Sequence, residues 1–337
     1  MRRYFFLIFL MLMCTMCSSG AEWQDVIDRG QINSGSQPSK PEQPSDSDQP
    51  SEPEKPVEPK PEMVSLGIVT DVHYADKDVN NERYYRESGA KLEAAVRDFN
   101  SRNVDMVISL GDIVDNEYEN YGDINTHLAS LTMPLYKILG NHDFISPFDW
   151  NKQNAALQTL GITNRYFSVI KGDFRLLFLD TSDLAMYSHE VGSDEYRQAE
   201  DIYEELEGEA NAKKYNGAIG QAQQKWLEAQ LKEAQSASQT VICFAHIPLY
   251  IDGAAKYTLW NGEEILDLLT GYSCVKAFVA GHHHEGGYAD NGGIHHITLK
   301  GMVLGETNSY SIVTIHKDRL VIEGYGRQGN AEYKYNH

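Results

Sequence analysis

Val104-Asp105-Met106-Val107-Ile108-Ser109-Leu110-Gly111-Asp112-Ile113-Val114-Asp115 is an apolar run of strand length that stops at a glycine and two carboxylates. Upstream, residues 63–70 (MVSLGIVT) form a similar run and end in Asp71-Val72-His73. Between them Tyr85, Ser88, Leu92, Ala95, Val96 and Phe99 recur at helical spacing, which predicts an amphipathic helix over 82–100. Downstream, 134–139 leads into Gly140-Asn141-His142-Asp143, 240–244 into Ala245-His246-Ile247-Pro248, and 275–280 into Gly281-His282-His283-His284. Strand, polar turn and helix in alternation indicate an α/β sheet whose site lies beyond the carboxyl ends of its strands. Residues 166–170 and 174–179 flank Lys171-Gly172-Asp173 as a hairpin, and helices are expected at 218–236 and 265–269. The polar stretch 184–217 reads as loop with a helix over 195–207, and the β-rich tail (294–299, 310–315, 320–325) as a second sheet packed on the first.

The chain has 337 residues, 29 basic and 49 acidic, for a net charge of −20. Such a balance argues against nucleic-acid polymers, which need basic surfaces. No apolar run of about 18 residues is present to span a membrane as a mature helix. Met1-Arg2-Arg3 followed by an apolar segment predicts a signal peptide over 1–21. Cys14 and Cys17 allow a lipoprotein-type anchor, with ordinary cleavage after Ser19-Gly20-Ala21 as the competing reading. Every one of the eleven prolines except Pro134, Pro147 and Pro248 falls among the Ser, Glu, Asp and Lys of residues 22–62. That segment cannot bury enough apolar surface to offset its ordering entropy, so it reads as an extended disordered linker. The expectation is export to the periplasm or cell surface, with any membrane association confined to the N-terminal lipid. Residues 63–337 are left as one catalytic domain, still about −16. Its Cys243 and Cys274 read as buried thiols, with a disulfide as the alternative.

Carboxylate, imidazole and amide at five strand ends are ligands for divalent ions. Gly111, Gly140 and Gly281 open three of the clusters and permit sharp turns. Asp71-Val72-His73, Gly111-Asp112-Ile113-Val114-Asp115, Gly140-Asn141-His142-Asp143, His246 and Gly281-His282-His283-His284 together resemble the signature of the calcineurin-like metallophosphoesterases. That resemblance implies a four-layer αββα sandwich with two mixed β-sheets and a two-metal site. One ion would be held by Asp71, His73, Asp112 and His284, the other by Asp112, Asn141, His246 and His282. His142 would meet the phosphoryl group or leaving oxygen, oriented by Asp143, while hydroxide bridging the ions attacks phosphorus. Two divalent ions, two carboxylates and one hydroxide leave the centre about +1, which suits a phosphate ester inside an acidic protein.

Further stretches are similar to the manganese-dependent ADP-ribose/CDP-alcohol diphosphatase branch: Asp71 to Asp76, Arg83-Tyr84-Tyr85-Arg86, Gly217-Ala218-Ile219-Gly220 with Gln224-Lys225-Trp226-Leu227, Ala280 to Tyr288, and Gly293-Ile294-His295-His296. The resemblance implies hydrolysis of phosphoanhydride bonds in small nucleotide-containing substrates, with Mn²⁺ expected and Fe, Zn, Co or Mg as alternatives. His73 departs from the branch, where a Gln often stands. Arg83 and Arg86 are candidates to grip a distal phosphate, and His295 to touch substrate. Asp115 is expected to orient a ligand or cap a helix. Tyr187, His189, Tyr196, Tyr203 and Tyr215 could stack a base or simply pack, and His283 should point away. The alternatives are a phosphomonoesterase or cyclic-nucleotide phosphodiesterase on the same metals, or a non-catalytic surface binding protein.

Overall fold

The computed structural model describes residues 62–115, 118–144 and 150–336. The expected signal peptide over 1–21, with its Cys14 and Cys17, and the expected linker as far as residue 61 lie outside the described residues. The described residues from 62 onward form one compact unit. Its strands are β1 Met63–Val69, β2 Met106–Ser109, β3 Leu135–Lys137, β4 Phe167–Lys171, β5 Phe174–Phe178 and β6 Thr240–Phe244. They continue with β7 Val275–Ala280, β8 Gly287–Asn291, β9 Ile294–Thr298, β10 Ser309–His316, β11 Arg319–Gly326 and β12 Ala331–Lys334. The helices are α1 Glu87–Arg102, α2 Tyr121–Leu128, α3 Trp150–Thr159, α4 Asp194–Glu205, α5 Gln221–Ser236 and α6 Gly262–Thr270.

Two six-stranded sheets result, ordered β12-β11-β10-β1-β2-β3 and β4-β5-β6-β7-β9-β8. Both are mixed: β1 is parallel to β2 but antiparallel to β10, and β5 is parallel to β6 but antiparallel to β4. The period of two along each strand separates the layers. Leu66, Ile68, Ile108 and Val313 of the first sheet pack on Leu176, Ile242 and Val279 of the second. On the outer faces, Val69 and Val107 meet Leu92, Val96 and Phe99 of α1, and Leu177 and Cys243 meet Leu227 and Leu231 of α5. This is the αββα sandwich. Cys243 and Cys274 are free and buried. No helix among the described residues is long and apolar enough to cross a membrane.

Two expectations need correction. The tail is not a separate second sheet: β9 joins β7 in one sheet, whereas β10 to β12 extend the other from β1. Every residue of Ile294–Thr298 is buried, so the strand's hydropathy names no preferred neighbour. The first helix starts at Glu87 rather than at 82. Asn80 and Arg83 exchange backbone hydrogen bonds (3.2 and 3.0 Å) across left-handed Asn81 and Glu82, making a tight turn where helix was expected. Helices α2 and α3 and strands β8 and β12 are short and weakly patterned, and periodicity alone did not find them.

Candidate metal centre

β1, β2 and β3 of one sheet and β6 and β7 of the other deliver their carboxyl ends to one crevice. Leu110 N–H donates to Val69 O (3.0 Å), Asp71 N–H to Gly111 O (3.1 Å) and His73 N–H to Asp112 O (2.8 Å), so pairing continues past the strands and sets the two loops side by side. Asp71, His73, Asp112 and His282 all have left-handed φ, at 50, 45, 52 and 67°. Each such residue costs about 1–3 kcal/mol, so backbone strain is concentrated on the residues that carry the chemistry. Gly140 permits a close approach: a Cβ there would lie 2.5 Å from the Asp112 backbone nitrogen.

Two groups of ligand atoms converge. In the first, His73 Nε2 is 3.2 Å from Asp112 Oδ2, 3.8 Å from Asp71 Oδ1 and 3.1 Å from His284 Nε2, and His284 Nε2 is 3.3 Å from Asp71 Oδ1. In the second, His246 Nε2 is 3.3 Å from Asp112 Oδ2, 3.3 Å from Asn141 Oδ1 and 3.2 Å from His282 Nδ1. Asp112 Oδ2 serves both. Asp71, His73, Asp112 and His246 are essentially inaccessible to solvent. His246 Nδ1 donates to Leu110 O (2.8 Å), which directs its Nε2 into the cluster as the atom that meets a cation. Carboxylate oxygens, an amide oxygen and imidazole nitrogens facing one another at these distances are short of donors, and divalent cations supply what is missing.

The electrostatics agree. Burial would raise the Asp71 and Asp112 carboxyls, but the surrounding imidazoles outweigh it and hold both well below the usual carboxylate range. Burial would lower His73 and His246, yet the carboxylates, Asp112 foremost, raise both, His246 to about 9. His282 moves the other way, held down by burial and by the neighbouring His246. The ionised carboxylates thus draw positive charge into a dry site.

The seven proposed ligands, Asp71, His73, Asp112, Asn141, His246, His282 and His284, are therefore brought together. His142 stands at the open side, its side chain 26% exposed, with its backbone N–H on Asp112 Oδ1 (2.7 Å). Its partner differs from expectation. Asp143 does not orient the ring: its buried carboxylate accepts the backbone N–H groups of Asp112 (2.8 Å), Ile113 (2.8 Å) and Gly140 (2.9 Å), clamping two ligand loops together. Burial and the Asp112 charge push that carboxyl up to about 6. Asp115 holds the imidazole instead, with Oδ1 2.7 Å from His142 Nδ1 and 3.5 Å from His73 Nδ1, and Lys77 Nζ 3.0 Å from its Oδ2.

Two substrate candidates also fall away from the centre. Arg86 is exposed and spent on Asp76 (2.6 Å) and Asp78 (3.0 Å). His295 sits three residues before the end of β9, where Tyr288 Oη (3.0 Å) and Lys334 O (2.8 Å) occupy its two ring nitrogens. Arg83 is half-buried and close enough for its charge to act on His284. Of the aromatic residues in the 184–217 segment, Tyr215 lies beside the centre, 5.6 Å from the His282 ring. Tyr187 packs on Phe144, Tyr203 packs on Trp260, and His189 bonds Asp183 O (2.7 Å). His283 points out of the cluster and stacks on Tyr257 at 4.6 Å. Asn216, not anticipated from sequence, touches His282 Nε2 through its Oδ1 (3.0 Å).

The calcineurin-like phosphoesterase family model matches residues 64–286. Manganese-dependent ADP-ribose/CDP-alcohol diphosphatases from Danio rerio and Bos taurus are 29% and 27% identical, over 78% and 79% of this chain and 95% and 92% of their own. The counterpart from Arabidopsis thaliana is 27% identical over 81% of this chain and 97% of its own. The crystal structure of a dimetal phosphatase from Danio rerio superposes with a TM-score of 0.72 at 26% identity, covering 81% of this chain and 99% of that one. A yellow lupin purple acid phosphatase shares the fold at 15% identity and a TM-score of 0.52, over 81% of this chain and 53% of its own. The chain belongs to the calcineurin-like phosphoesterase family, and is a metal-dependent hydrolase of phosphate esters.

Proposed function

We propose that the protein hydrolyses phosphoanhydride bonds in small nucleoside diphosphate-linked molecules of the ADP-ribose or CDP-alcohol type, with Mn²⁺ as its metal. The observation that carries the dinuclear reading is the pair of ligand groups sharing Asp112 Oδ2. The substrate class follows the relatives, which align over nearly their whole length. Asp71, His73 and His284 would hold one ion with Asp112; Asn141, His246 and His282 would hold the other, also with Asp112. Bound there, divalent ions polarise phosphoryl oxygens and lower the pKa of water.

The chain's own groups divide the remaining work. His142, steadied through Nδ1 by Asp115, presents Nε2 to the leaving phosphate oxygen and supplies a proton there. Asp143 keeps the Asp112 and Gly140 loops in register. Arg83, whose charge reaches His284, would offer a guanidinium to the distal phosphate. The basic and apolar residues 1–21 support export, and the proline-rich residues that follow support a tether, with Cys14 or Cys17 as the point of lipid attachment. Incubation with Mn²⁺ and ADP-ribose or CDP-choline is expected to release AMP or CMP. Inertness toward both would sink the diphosphatase reading, and phosphate release from nucleoside monophosphates would replace it with a phosphomonoesterase.

A further inference from the structure

His282 is held by a residue outside the strand-end motifs. Its backbone N–H contacts both Asp71 carboxylate oxygens at 3.1 Å, its Nδ1 faces His246 Nε2 at 3.2 Å, and its Nε2 lies 3.0 Å from Asn216 Oδ1. Asn216 is fully buried. Its Nδ2 donates to Asn211 O (2.9 Å) and Lys256 O (3.0 Å), and both partners are carbonyls that can only accept. The amide therefore cannot be turned over, and the atom facing the imidazole is an acceptor. His282 must carry its hydrogen on Nε2, which leaves Nδ1 bare.

His246 is fixed in the complementary sense, with Nδ1 donating to Leu110 O and Nε2 directed at His282 to meet a cation. With both rings neutral, two lone pairs 3.2 Å apart draw in a cation, a proton in the metal-free protein or a metal ion in its place. In the other tautomer, His282 Nδ1–H would donate to His246 Nε2, and the two ligands would satisfy each other without metal. Asn216 is what removes that alternative. Its position is itself determined: the next residue is Gly217, where a Cβ would lie 2.5 Å from Thr181 O, and Trp260 N–H donates to Gly217 O (2.9 Å).

We propose that Asn216 is a positioning residue that locks His282 in its Nε2–H tautomer and so keeps the His246–His282 ion site open. The inference rests on the dinuclear reading of the centre. It gives the segment 184–217 a role at the metal and links it, through Lys256 O, to the loop that follows β6.

Mn²⁺ titration by calorimetry, with electron paramagnetic resonance of the loaded protein and melting of the metal-free form, tests this in wild type, Asn216→Ala and Asn216→Asp. Wild type should take two ions and show an exchange-coupled spectrum. Asn216→Ala should bind one of them about 10–100-fold more weakly and show an uncoupled signal at limiting metal. Asn216→Asp keeps the acceptor but loses both donors, so it should retain Mn²⁺ affinity within about threefold while its metal-free melting temperature falls. Wild-type binding and spectrum in Asn216→Ala would overturn the proposal. So would equal loss of metal in both variants, in step with their loss of stability, since that marks a purely structural residue. A wild type that binds fewer than two ions would instead overturn the dinuclear reading itself.

Discussion

Asp112 carries more of the site than any other side chain: Oδ2 faces His73 and His246, and Oδ1 accepts the His142 amide. Asp112→Asn removes the charge common to both ion positions, so Mn²⁺ stoichiometry should fall below two and turnover should drop by at least about a hundredfold. Asp115→Asn leaves every proposed ligand in place but weakens the hold on the His142 ring. Its kcat should fall by about 10²–10⁴ with Mn²⁺ content unchanged, measured by steady-state kinetics and metal analysis of the same sample. The ligands were legible in sequence because each closes a predicted strand, and strand ends are where α/β sheets present chemistry. Asp115 and Asp143 were harder. Both carboxylates stand within three residues of a ligand, and spacing alone does not say which accepts an imidazole and which accepts backbone amides. Asn216 gave no signal at all, because it comes to His282 from a loop 66 residues away in the chain.

At the scale of elements, the loops after β1 and β2 hold strained residues because the glycines beside them let the backbones touch. Gly140→Ala would drive a methyl group against the Asp112 nitrogen and carboxylate. It should destabilise the fold by roughly 1–3 kcal/mol in urea titration and weaken Mn²⁺ binding as well. The neighbouring strand β9 makes a separate prediction about pH. Burial of His296 lowers its pKa to about 4 from the ordinary 6.5. The native state therefore disfavours the charged ring. Its stabilising contribution is present in full above pH 6.5 and is lost as pH falls toward 4, for a total of about 3 kcal/mol. A His296→Leu variant should show a shallower fall in the urea midpoint across that window. An unchanged slope would assign the acid sensitivity to other groups. β9 also shows where the pattern ran out: a strand buried on both faces announces itself, but not which sheet it joins.

Across the whole domain, the two sheets meet along an apolar interior, and the ligand set bridges their carboxyl ends. A chain of −20 buries two ionised carboxylates among imidazoles, so ions bound there link the sheets electrostatically as well as serving chemistry. Saturating Mn²⁺ at about a thousandfold over its dissociation constant should add about 4 kcal/mol per ion to unfolding stability, about 8 kcal/mol for two, and a chelator should remove it. The sequence showed which sites would converge and the αββα layering that its family resemblance implied, but not the sharing of tail strands between the sheets. Two ions sharing Asp112 are what the chemistry of this centre requires. Anomalous scattering at the manganese edge, from crystals grown with Mn²⁺, measures this sharing most directly. Two peaks about 3.5–4 Å apart are expected, one beside Asp71, His73 and His284 and the other beside Asn141, His246 and His282. A single peak, or peaks remote from Asp112, would contradict it.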